Sequence, residues 1–321
     1  PVDSVVELVR ELHAGSQEAQ ILLRPEGRYL NRLHRLAATA PLEQGPTVRP
    51  EASYLISGGF GDLGLRVAHY LVEQGARYLV LVGRSQPRAG VAEQLAALEA
   101  AGAIIERAYL DITDGAAVKA LLAQPRPPLA GIIHGAGVLR DGVLATLDWP
   151  ALEAVLAAKM VGAWNLHQAT LDTPLDSFIF FSSIASVFGP IAQGNYAAAN
   201  AFLDHLASYR RHRQLPALVI NWGAWSEIGL AAREGNVQQI ATRGVATIKP
   251  EDGMALFDQL WRRSGQVVAV PMHWAVWGQQ ASRWPLLEAF QTEMVSTAAP
   301  VAGSWRDQLA ELPIAEQRDA L

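Results

Sequence analysis

The residues best suited to chemistry are a tyrosine, a serine and a lysine at an unusual spacing. Tyr196 is followed by Asn200 one helical turn later, Ser183 precedes the tyrosine, and Lys159 precedes the serine. A tyrosine hydroxyl that protonates a carbonyl has an ordinary pKa near ~10, so it needs a cation nearby. Because Asn200 occupies the position where a lysine would serve, we expect Lys159 to supply that charge.

Each of these residues also has an ordinary structural interpretation. Lys159 could extend its ammonium to solvent along an apolar helix face. Ser183 could cap a turn, and Tyr196 could be a core residue with a satisfied hydroxyl. Their occurrence together, downstream of a nucleotide-binding motif, favours a site. The apolar face around the lysine is marked by Leu152, Val155, Leu156, Ala163 and Leu166.

A glycine-rich segment matches the dinucleotide-binding pattern G-x-G-x-x-G. Glycines at such a turn let a pyrophosphate approach the N-terminus of the following helix, where free N–H groups favour anions. A plain strand-to-helix turn is the alternative. The predicted cofactor loop comprises Gly58, Gly59, Phe60, Gly61, Asp62, Leu63 and Gly64.

The end of the second strand predicts which dinucleotide binds. It reads Val82-Gly83-Arg84-Ser85 and has no carboxylate for a ribose 2′-hydroxyl, so Arg84 indicates NADPH unless it is a solvated surface arginine. Asp111 and Ile112 follow the third strand, where Asp111 either meets the adenine edge or caps the next turn. Gly135-Ala136-Gly137 after the fourth strand lets backbone approach the cofactor.

Strands and helices alternate from Ala52 to about Pro271, which predicts an α/β, Rossmann-like, doubly wound parallel sheet. The strands are continuous apolar runs, as expected when helices cover both faces. The predicted strands are 54–57, 78–83, 104–110, 131–134, 178–182, 217–221 and 267–270. The predicted helices are 63–74, 90–101, 116–123, 151–170 and 195–213, and a hairpin is expected at 21–33.

Composition excludes several classes of function. The 321 residues carry 26 basic and 31 acidic side chains, a formal charge of −5, which does not favour nucleic acid or an anionic membrane. Without cysteine there is no disulfide or thiolate metal site, and we expect no metal. No apolar run approaches the length of a membrane span. We expect a soluble, cytoplasmic fragment of a longer protein.

Six stretches together resemble the ketoreductase domains of modular polyketide synthases, a branch of the short-chain dehydrogenase/reductase family. The exchange of lysine and asparagine between positions 159 and 200 is typical of that branch. Ser57 is a departure, since the family usually has threonine there. The matching stretches are 57–64, 81–84, 134–137, 181–185, 195–200 and Asn221-Trp222-Gly223.

The resemblance implies reduction by NADPH of a β-keto thioester carried on an acyl carrier protein. Tyr196 would protonate the forming alkoxide and Ser183 would hydrogen-bond the same oxygen. Lys159 would lower the pKa of the tyrosine and hold the nicotinamide ribose, while Asn200 would fix a water. Asn221, Trp222 and Gly223 would lie near the nicotinamide.

The resemblance also implies B-type stereochemistry, with a D-hydroxyl product. Val138-Leu139-Arg140-Asp141 is similar to the B-type Leu-Asp-Asp fingerprint, with arginine in the middle and Asp141 kept. Asn195 matches B-type, and Phe188 stands where A-type domains have tryptophan. Ile191 replaces a proline often found in B-type domains. An ordinary loop aspartate is the alternative for Asp141.

The remaining segments are interpreted through the same resemblance. Residues 1–49 are similar to the C-terminal part of a structural, non-catalytic subdomain plus a linker, 50–275 to the catalytic domain, and 276–321 to a tail leading toward a carrier-protein domain. We expect the upstream structural subdomain and other synthase domains as partners. Residues 224–248 are a candidate substrate lid or a long surface loop.

Two other functions remain open on the sequence. One is a free-standing 3-oxoacyl thioester reductase, although the segments at both ends have no use in such an enzyme. The other is a redox-silent structural or epimerase-type domain that keeps the fold without turnover. Cofactor binding without turnover would favour the latter.

Overall fold

The computed structural model describes residues 2–36, 45–230, 244–274, 276–277 and 284–296. The chain divides into two compact units. The smaller unit comprises Pro1–Ala40, Thr242–Val245 and Met272–Leu321, and the larger comprises Pro41–Ala241 and Ala246–Pro271. Residues 297–321 of the predicted tail and part of the candidate lid lie outside the described residues. The domain boundaries expected from the sequence stay a prediction.

The smaller unit contains the predicted hairpin. Helix α1 (Val2–His13) is followed by strands β1 (Ile21–Arg24) and β2 (Gly27–Leu30), which pair antiparallel. Two short helices near the other end of the chain, Pro285–Phe290 and Gln291–Ser296, belong to the same unit.

Hydrogen bonds and an ion pair join the two ends of the chain within this unit. The backbone N–H of Leu33 donates to the carbonyl of Leu286 at 2.9 Å, and Arg32 pairs with Glu288 at 2.8 Å. The segment after the hairpin is thereby attached to the helix Pro285–Phe290. The smaller unit is therefore built from segments far apart in sequence.

Within the described residues, the larger unit has seven parallel strands in one sheet. They are β3 (Ser53–Ser57), β4 (Tyr78–Gly83), β5 (Ile104–Tyr109), β6 (Leu129–His134), β7 (Ser177–Ser183), β8 (Leu218–Trp222) and β9 (Gly265–Ala269). Their order is β5-β4-β3-β6-β7-β8-β9. The sequence-based prediction of a doubly wound parallel sheet is confirmed.

Helices connect successive strands, and the apolar periodicity predicted most of them but not those at 185–188 and 250–261. They are α2 (Asp62–Glu73), α3 (Val91–Ala100), α4 (Gly115–Leu122), α5 (Trp149–Leu156), α6 (Gly162–Ala169), α7 (Ala185–Phe188), α8 (Gly194–His212) and α9 (Pro250–Trp261). None of the helices in the described part of the chain is long and apolar enough to cross a membrane.

The helix predicted over 151–170 forms, but its middle is not regular α-helix, which the sequence analysis did not predict. Between α5 and α6 the backbone forms a π-helical turn, Ala157–Val161, that contains Lys159. One extra residue in a helical turn rotates the side chains that follow it, and such turns often occur at functional sites. The apolar pattern continues across the turn, so periodicity alone gave no sign of it.

Aromatic packing holds α9 against the sheet. Phe257 contacts Phe181 of β7 edge-on at 5.7 Å and Trp261 at 5.7 Å. Trp225 lies over the same helix at Gly253, where a Cβ atom would overlap the indole ring. The glycine is therefore required by close approach of the indole and not by backbone conformation.

We expect Gly253→Ala to destabilise the protein by about 1–3 kcal/mol, because the added methyl group displaces the Trp225 ring. The direction is informative, since glycine to alanine inside a helix otherwise stabilises by about 0.5–1 kcal/mol. Urea denaturation measures the difference. Gln259→Ala, on the exposed side of α9, is the matched control. A stabilised Gly253→Ala protein would contradict this packing.

Candidate active site

The sheet brings the predicted site residues to one edge. Strands β3 and β6 are neighbours in space, and the chain continues outward in opposite directions from them. Ligands of open α/β sheets bind at the carboxyl ends of the strands at such a point. The glycine loop follows β3, Gly135–Gly137 follow β6, and Ser183 ends β7.

The glycine loop is compact and leaves no room for side chains. Gly58 has a φ of +73°, and a Cβ atom there would lie 3.0 Å from the backbone nitrogen of Ala136. A Cβ atom on Gly64 would overlap the carbonyl oxygen of Gly58. Gly61 caps α2 without a side-chain hydrogen bond, so the first N–H groups of the helix are available to an anion.

Three other residues of the loop pack or pair with protein groups. Phe60 is buried, stacks on Tyr109 at 5.3 Å and covers Gly83. Asp62 pairs with Arg88 at 3.0 Å. Leu63 lies beside Gly229. Because the side chains of Phe60, Asp62 and Leu63 contact other protein groups, we expect a ligand at the loop to contact their backbone.

A cleft of about 710 Å³, open to solvent, runs along this edge. Arg84 lines it and is exposed, whereas Ser85 is exposed but is not among the lining residues. The Asp111 carboxylate accepts hydrogen bonds from the Thr113 backbone N–H (2.9 Å) and hydroxyl (2.8 Å). Asp111 therefore both caps the turn and lines the cleft. Ile112 lines the cleft as well.

Ala136 and Gly137 line the cleft, and Gly135 precedes them. The backbone N–H of Gly135 donates to the carbonyl of Ser57 at 3.0 Å. A Cβ atom on Gly137 would lie 3.0 Å from Cε of Lys159. The absence of a side chain at Gly137 therefore leaves room for the lysine.

Lys159 is only 3% exposed, which rules out a side chain extended to solvent. Its Nζ donates to the carbonyl oxygen of Phe181 at 2.9 Å and lies 5.6 Å from the ring centre of Tyr196. Burial lowers the pKa of Lys159 to about 8, while the negative charge of Asp204 acts in the opposite direction. The ammonium is held inside the site next to the tyrosine.

Tyr196 meets the predicted serine and asparagine. Burial raises the pKa of its hydroxyl, and interactions with the side chains of Asn200 and Ser183 act to lower it. The Asp141 charge raises this pKa further. A direct effect of the Lys159 charge on the pKa of the Tyr196 hydroxyl stays a prediction.

The side chains of Ser183 and Asn200 each make one further hydrogen bond. The Ser183 hydroxyl oxygen accepts the backbone N–H of Ala185, the first residue of α7, at 3.1 Å. The Nδ2 group of Asn200 donates to the Tyr196 carbonyl at 2.8 Å. Its buried Oδ1 has no hydrogen-bond partner among the described residues.

The predicted stereocontrol residues join the segment before Tyr196 to the loop after β6. The Asn195 amide donates to the Arg140 carbonyl at 2.7 Å, and Gln193 donates to the Asp141 carboxylate at 2.8 Å. Asp141 is therefore more than an isolated loop residue. Leu139 is buried, and Phe188 lies half-buried at the end of α7.

The residues expected at the nicotinamide end are less exposed to the cleft. The Asn221 amide turns inward to Asp204, with nitrogen–oxygen distances of 2.9 and 3.0 Å. Trp222 is buried against Phe181, and Gly223 packs on Val270. Any contact of these three residues with a cofactor would be made by their backbone.

Two buried polar pairs were missed by the sequence analysis. Asp204 lies eight residues after Tyr196 on α8 and is surrounded by hydrogen-bond donors. His134 accepts or donates a 2.6 Å hydrogen bond with Ser57, and burial lowers its pKa to about 3. The one sign of Asp204 in the sequence was its position beside Leu203 and Leu206, in an apolar helical stripe where a carboxylate is unusual.

Comparison with known proteins identifies relatives of this chain. Residues 52–227 match the family described as the KR domain. Erythronolide synthase EryA2 of Saccharopolyspora erythraea is 43% identical over 256 residues, covering 79% of this chain and 7% of that protein. The spectinabilin polyketide synthase system protein NorB of Streptomyces orinoci is 38% identical over 302 residues, covering 89% of this chain and 14% of that protein. The chain thus spans a small part of each.

Solved structures of similar fold agree with this family. One described as an A-type ketoreductase from a modular polyketide synthase superimposes with a TM-score of 0.81 at 36% identity, covering 88% of this chain and 61% of that chain. The first ketoreductase of the tylosin polyketide synthase gives 0.79 at 34%, covering 90% and 64%. Together with the geometry at the edge of the sheet, these matches show that the chain belongs to the KR domain family, the ketoreductase domains of modular polyketide synthases with the short-chain dehydrogenase/reductase fold.

Proposed function

We propose that the chain uses NADPH to reduce the β-keto group of an acyl chain carried as a thioester on an acyl carrier protein. The observation that carries the proposal is the convergence of Lys159, Ser183 and Tyr196, with Lys159 beside Gly137 of the cleft lining. The long polyketide synthases among the relatives support a carrier protein and further synthase domains as partners.

The cleft fits a phosphorylated dinucleotide. The backbone at Gly58 and Gly64 is closed to side chains, and the loop leads into the N-terminus of α2, where backbone N–H groups favour a pyrophosphate. Arg84 would pair with a 2′-phosphate, and Asp111 and Ile112 would lie at the adenine edge. When bound, NADPH supplies the hydride for the carbonyl carbon. Lys159 would hydrogen-bond the nicotinamide ribose.

The chain's own residues supply the proton. The Tyr196 hydroxyl would give its proton to the carbonyl oxygen as negative charge develops there, and Ser183 would donate a hydrogen bond to the same oxygen. The buried ammonium of Lys159 favours the tyrosinate that remains. The unpaired Oδ1 of Asn200 could accept a hydrogen bond from a water that returns the proton.

We further propose a B-type product with a D-hydroxyl group. Support comes from Asp141 and Asn195, which connect the fingerprint loop to the residues just before Tyr196. These hydrogen bonds connect two parts of the site. One is the loop that would guide the substrate, and the other is the helix whose Tyr196 would protonate it. Arg140 in place of the middle aspartate uses its carbonyl, not its side chain, in the connection to Asn195.

We expect the protein to oxidise NADPH in the presence of a β-ketoacyl thioester, measured at 340 nm, and to give the D-hydroxy product on chiral analysis. Tyr196→Phe should lower kcat by about 10²–10⁴-fold because the proton donor is lost. Tyr209→Phe, on the exposed side of the same helix, is the control. NADPH binding without turnover by the wild-type protein would favour the redox-silent alternative.

We expect kcat to fall as the pH rises through about 8, because Lys159 loses its charge there. In Lys159→Met that dependence should disappear and kcat should be low throughout. Lys119→Met on α4 is the control. An unchanged alkaline limb in Lys159→Met would assign the limb to another group.

The same lysine affects stability with a defined sign. Its folded-state pKa of about 8 lies below the usual 10.5, so between these values the unfolded chain binds more protons than the folded one. The contribution of Lys159 to stability therefore increases with pH in this window. Denaturation at pH 7 and 9.5 should show this increase in the wild-type protein and its loss in Lys159→Met.

We expect Arg84→Ala to weaken NADPH binding by about tenfold or more, since a charge-assisted hydrogen bond is lost, and to leave NADH binding unchanged. Fluorescence titration with both nucleotides measures the ratio. Arg77→Ala, at the other end of β4, provides a control with the same substitution. Equal weakening of both nucleotides would place Arg84 away from the 2′-phosphate.

A further inference from the structure

Asp204 is a buried carboxylate that the proposed reaction does not use directly. It is 8% exposed and lies on α8, on the helix that carries Tyr196 and Asn200. A buried carboxylate is costly unless hydrogen bonds and charges compensate it. The groups around Asp204 therefore indicate what it is for.

Every side chain that contacts the Asp204 carboxylate can donate a hydrogen bond. The Ser186 hydroxyl lies 2.6 Å from Oδ2, and the Asn221 amide nitrogen lies 2.9 and 3.0 Å from the two oxygens. Gln266 donates to Asn221 Oδ1 at 3.0 Å, which turns the Asn221 nitrogen toward Asp204. Burial raises the pKa of the Asp204 carboxyl, and the hydrogen bonds from Ser186, Ser182 and Asn221 act to lower it, so these donors favour the carboxylate form against the effect of burial.

The same donors contact the turn that carries Ser183. The Ser186 hydroxyl lies 2.9 Å from the Ser183 carbonyl oxygen, and the Asn221 amide nitrogen lies 3.3 Å from it. Asn221 also contacts the Ser182 hydroxyl at 3.1 Å. The Ser186 hydroxyl has one proton, which Asp204 and the Ser183 carbonyl share, and the Asn221 amide has two N–H groups, so Asp204 orients the two side chains that contact the Ser182–Ser186 turn.

Asp204 also acts on the buried ammonium. Its charge raises the pKa of Lys159 against the effect of burial. The other titratable groups that face Lys159 are His134 from β6, which burial keeps neutral, and Tyr196 from α8. Exposed His205 lies next to Asp204 on α8. Among the groups with a resolved effect on Lys159, Asp204 is the one that favours its charged form.

We propose that Asp204 is a positioning residue of the ketoreductase site, which fixes the Ser183 turn through Ser186 and Asn221 and acts electrostatically on the Lys159 ammonium, which is hydrogen-bonded to the Phe181 carbonyl just before that turn. This inference rests on the proposed reduction, since it assigns to Asp204 an effect on that reaction. It gives the carboxylate a role distinct from packing: neutralising it should change the site more than the fold.

The first measurement is independent of activity. The chain has three lysines, Lys119, Lys159 and Lys249, so the ¹³Cε signals of labelled lysine can be assigned with Lys159→Met. We expect Asp204→Asn to lower the pKa of Lys159 below its value of about 8 and to leave the other two titrations unchanged. An unchanged Lys159 titration would overturn the electrostatic part of the proposal.

The second measurement is kinetic. Asp204→Asn should lower kcat about 10–100-fold, as expected when charge-assisted hydrogen bonds to the turn are lost, with NADPH affinity within about twofold of wild type. The alkaline limb of kcat should move to lower pH. Ser186→Ala should lower kcat by a smaller factor. Ser53→Ala, which removes a buried serine hydrogen bond to the Pro127 carbonyl, is the control and should leave kcat unchanged.

The outcomes separate this proposal from the proposed function. An inactive wild-type protein would refute the reduction, and the lysine titration would still test Asp204. Active wild-type protein with an unchanged kcat in Asp204→Asn would refute the positioning role. The positioning role would also be refuted if kcat of Asp204→Asn fell only together with its NADPH affinity and thermal stability. If Asp204→Asn does not fold, Ser186→Ala carries the same comparison.

Discussion

The structure of the site depends on one buried positive charge. Burial of an ammonium is unfavourable, and for Lys159 the compensation comes from the Phe181 carbonyl, the Tyr196 ring and the charge of Asp204. The π-helical turn that contains Lys159 and the missing side chain at Gly137 are the local conditions under which the lysine fits there. We therefore expect substitutions at any of these positions to change the surroundings of Tyr196.

The sheet determines where this charge can act. Its strand order places the loop after β3 beside the loop after β6, although they are far apart in sequence. Gly58, Gly83 and Gly137 bring backbone to the surface of the cleft, and the rest of its lining consists mostly of apolar side chains. The N-terminus of a helix suits phosphates of any dinucleotide. Discrimination between dinucleotides would then fall to side chains of the cleft, of which Arg84 is positively charged.

Much of this could be predicted from the sequence, because apolar runs and glycine turns are local signals. These signals predicted the sheet and most of its helices. They also indicated where Lys159 and Ser183 lie relative to Tyr196. The π-helical turn was missed because apolar periodicity continues through Ala157–Val161. The surroundings of Asp204 were missed because they depend on hydrogen bonds between β8, α7 and α8, which no spacing encodes. Asp111 was left open between two roles, and the structure shows it both capping a turn and lining the cleft.

Hydrogen bonds join the loop after β6 to the start of α8 and the residues just before it. Asp141 accepts a hydrogen bond from Gln193, and the Gly142 backbone N–H donates to the Ala192 carbonyl at 2.8 Å, both just before Tyr196. A substitution at position 141 therefore changes the support of the tyrosine as well as any contact with substrate. Stereochemistry and rate should accordingly change together in variants of this loop. A residue that only guided the substrate could alter the product without altering the pKa of Tyr196, whereas the Asp141 charge acts on that pKa directly.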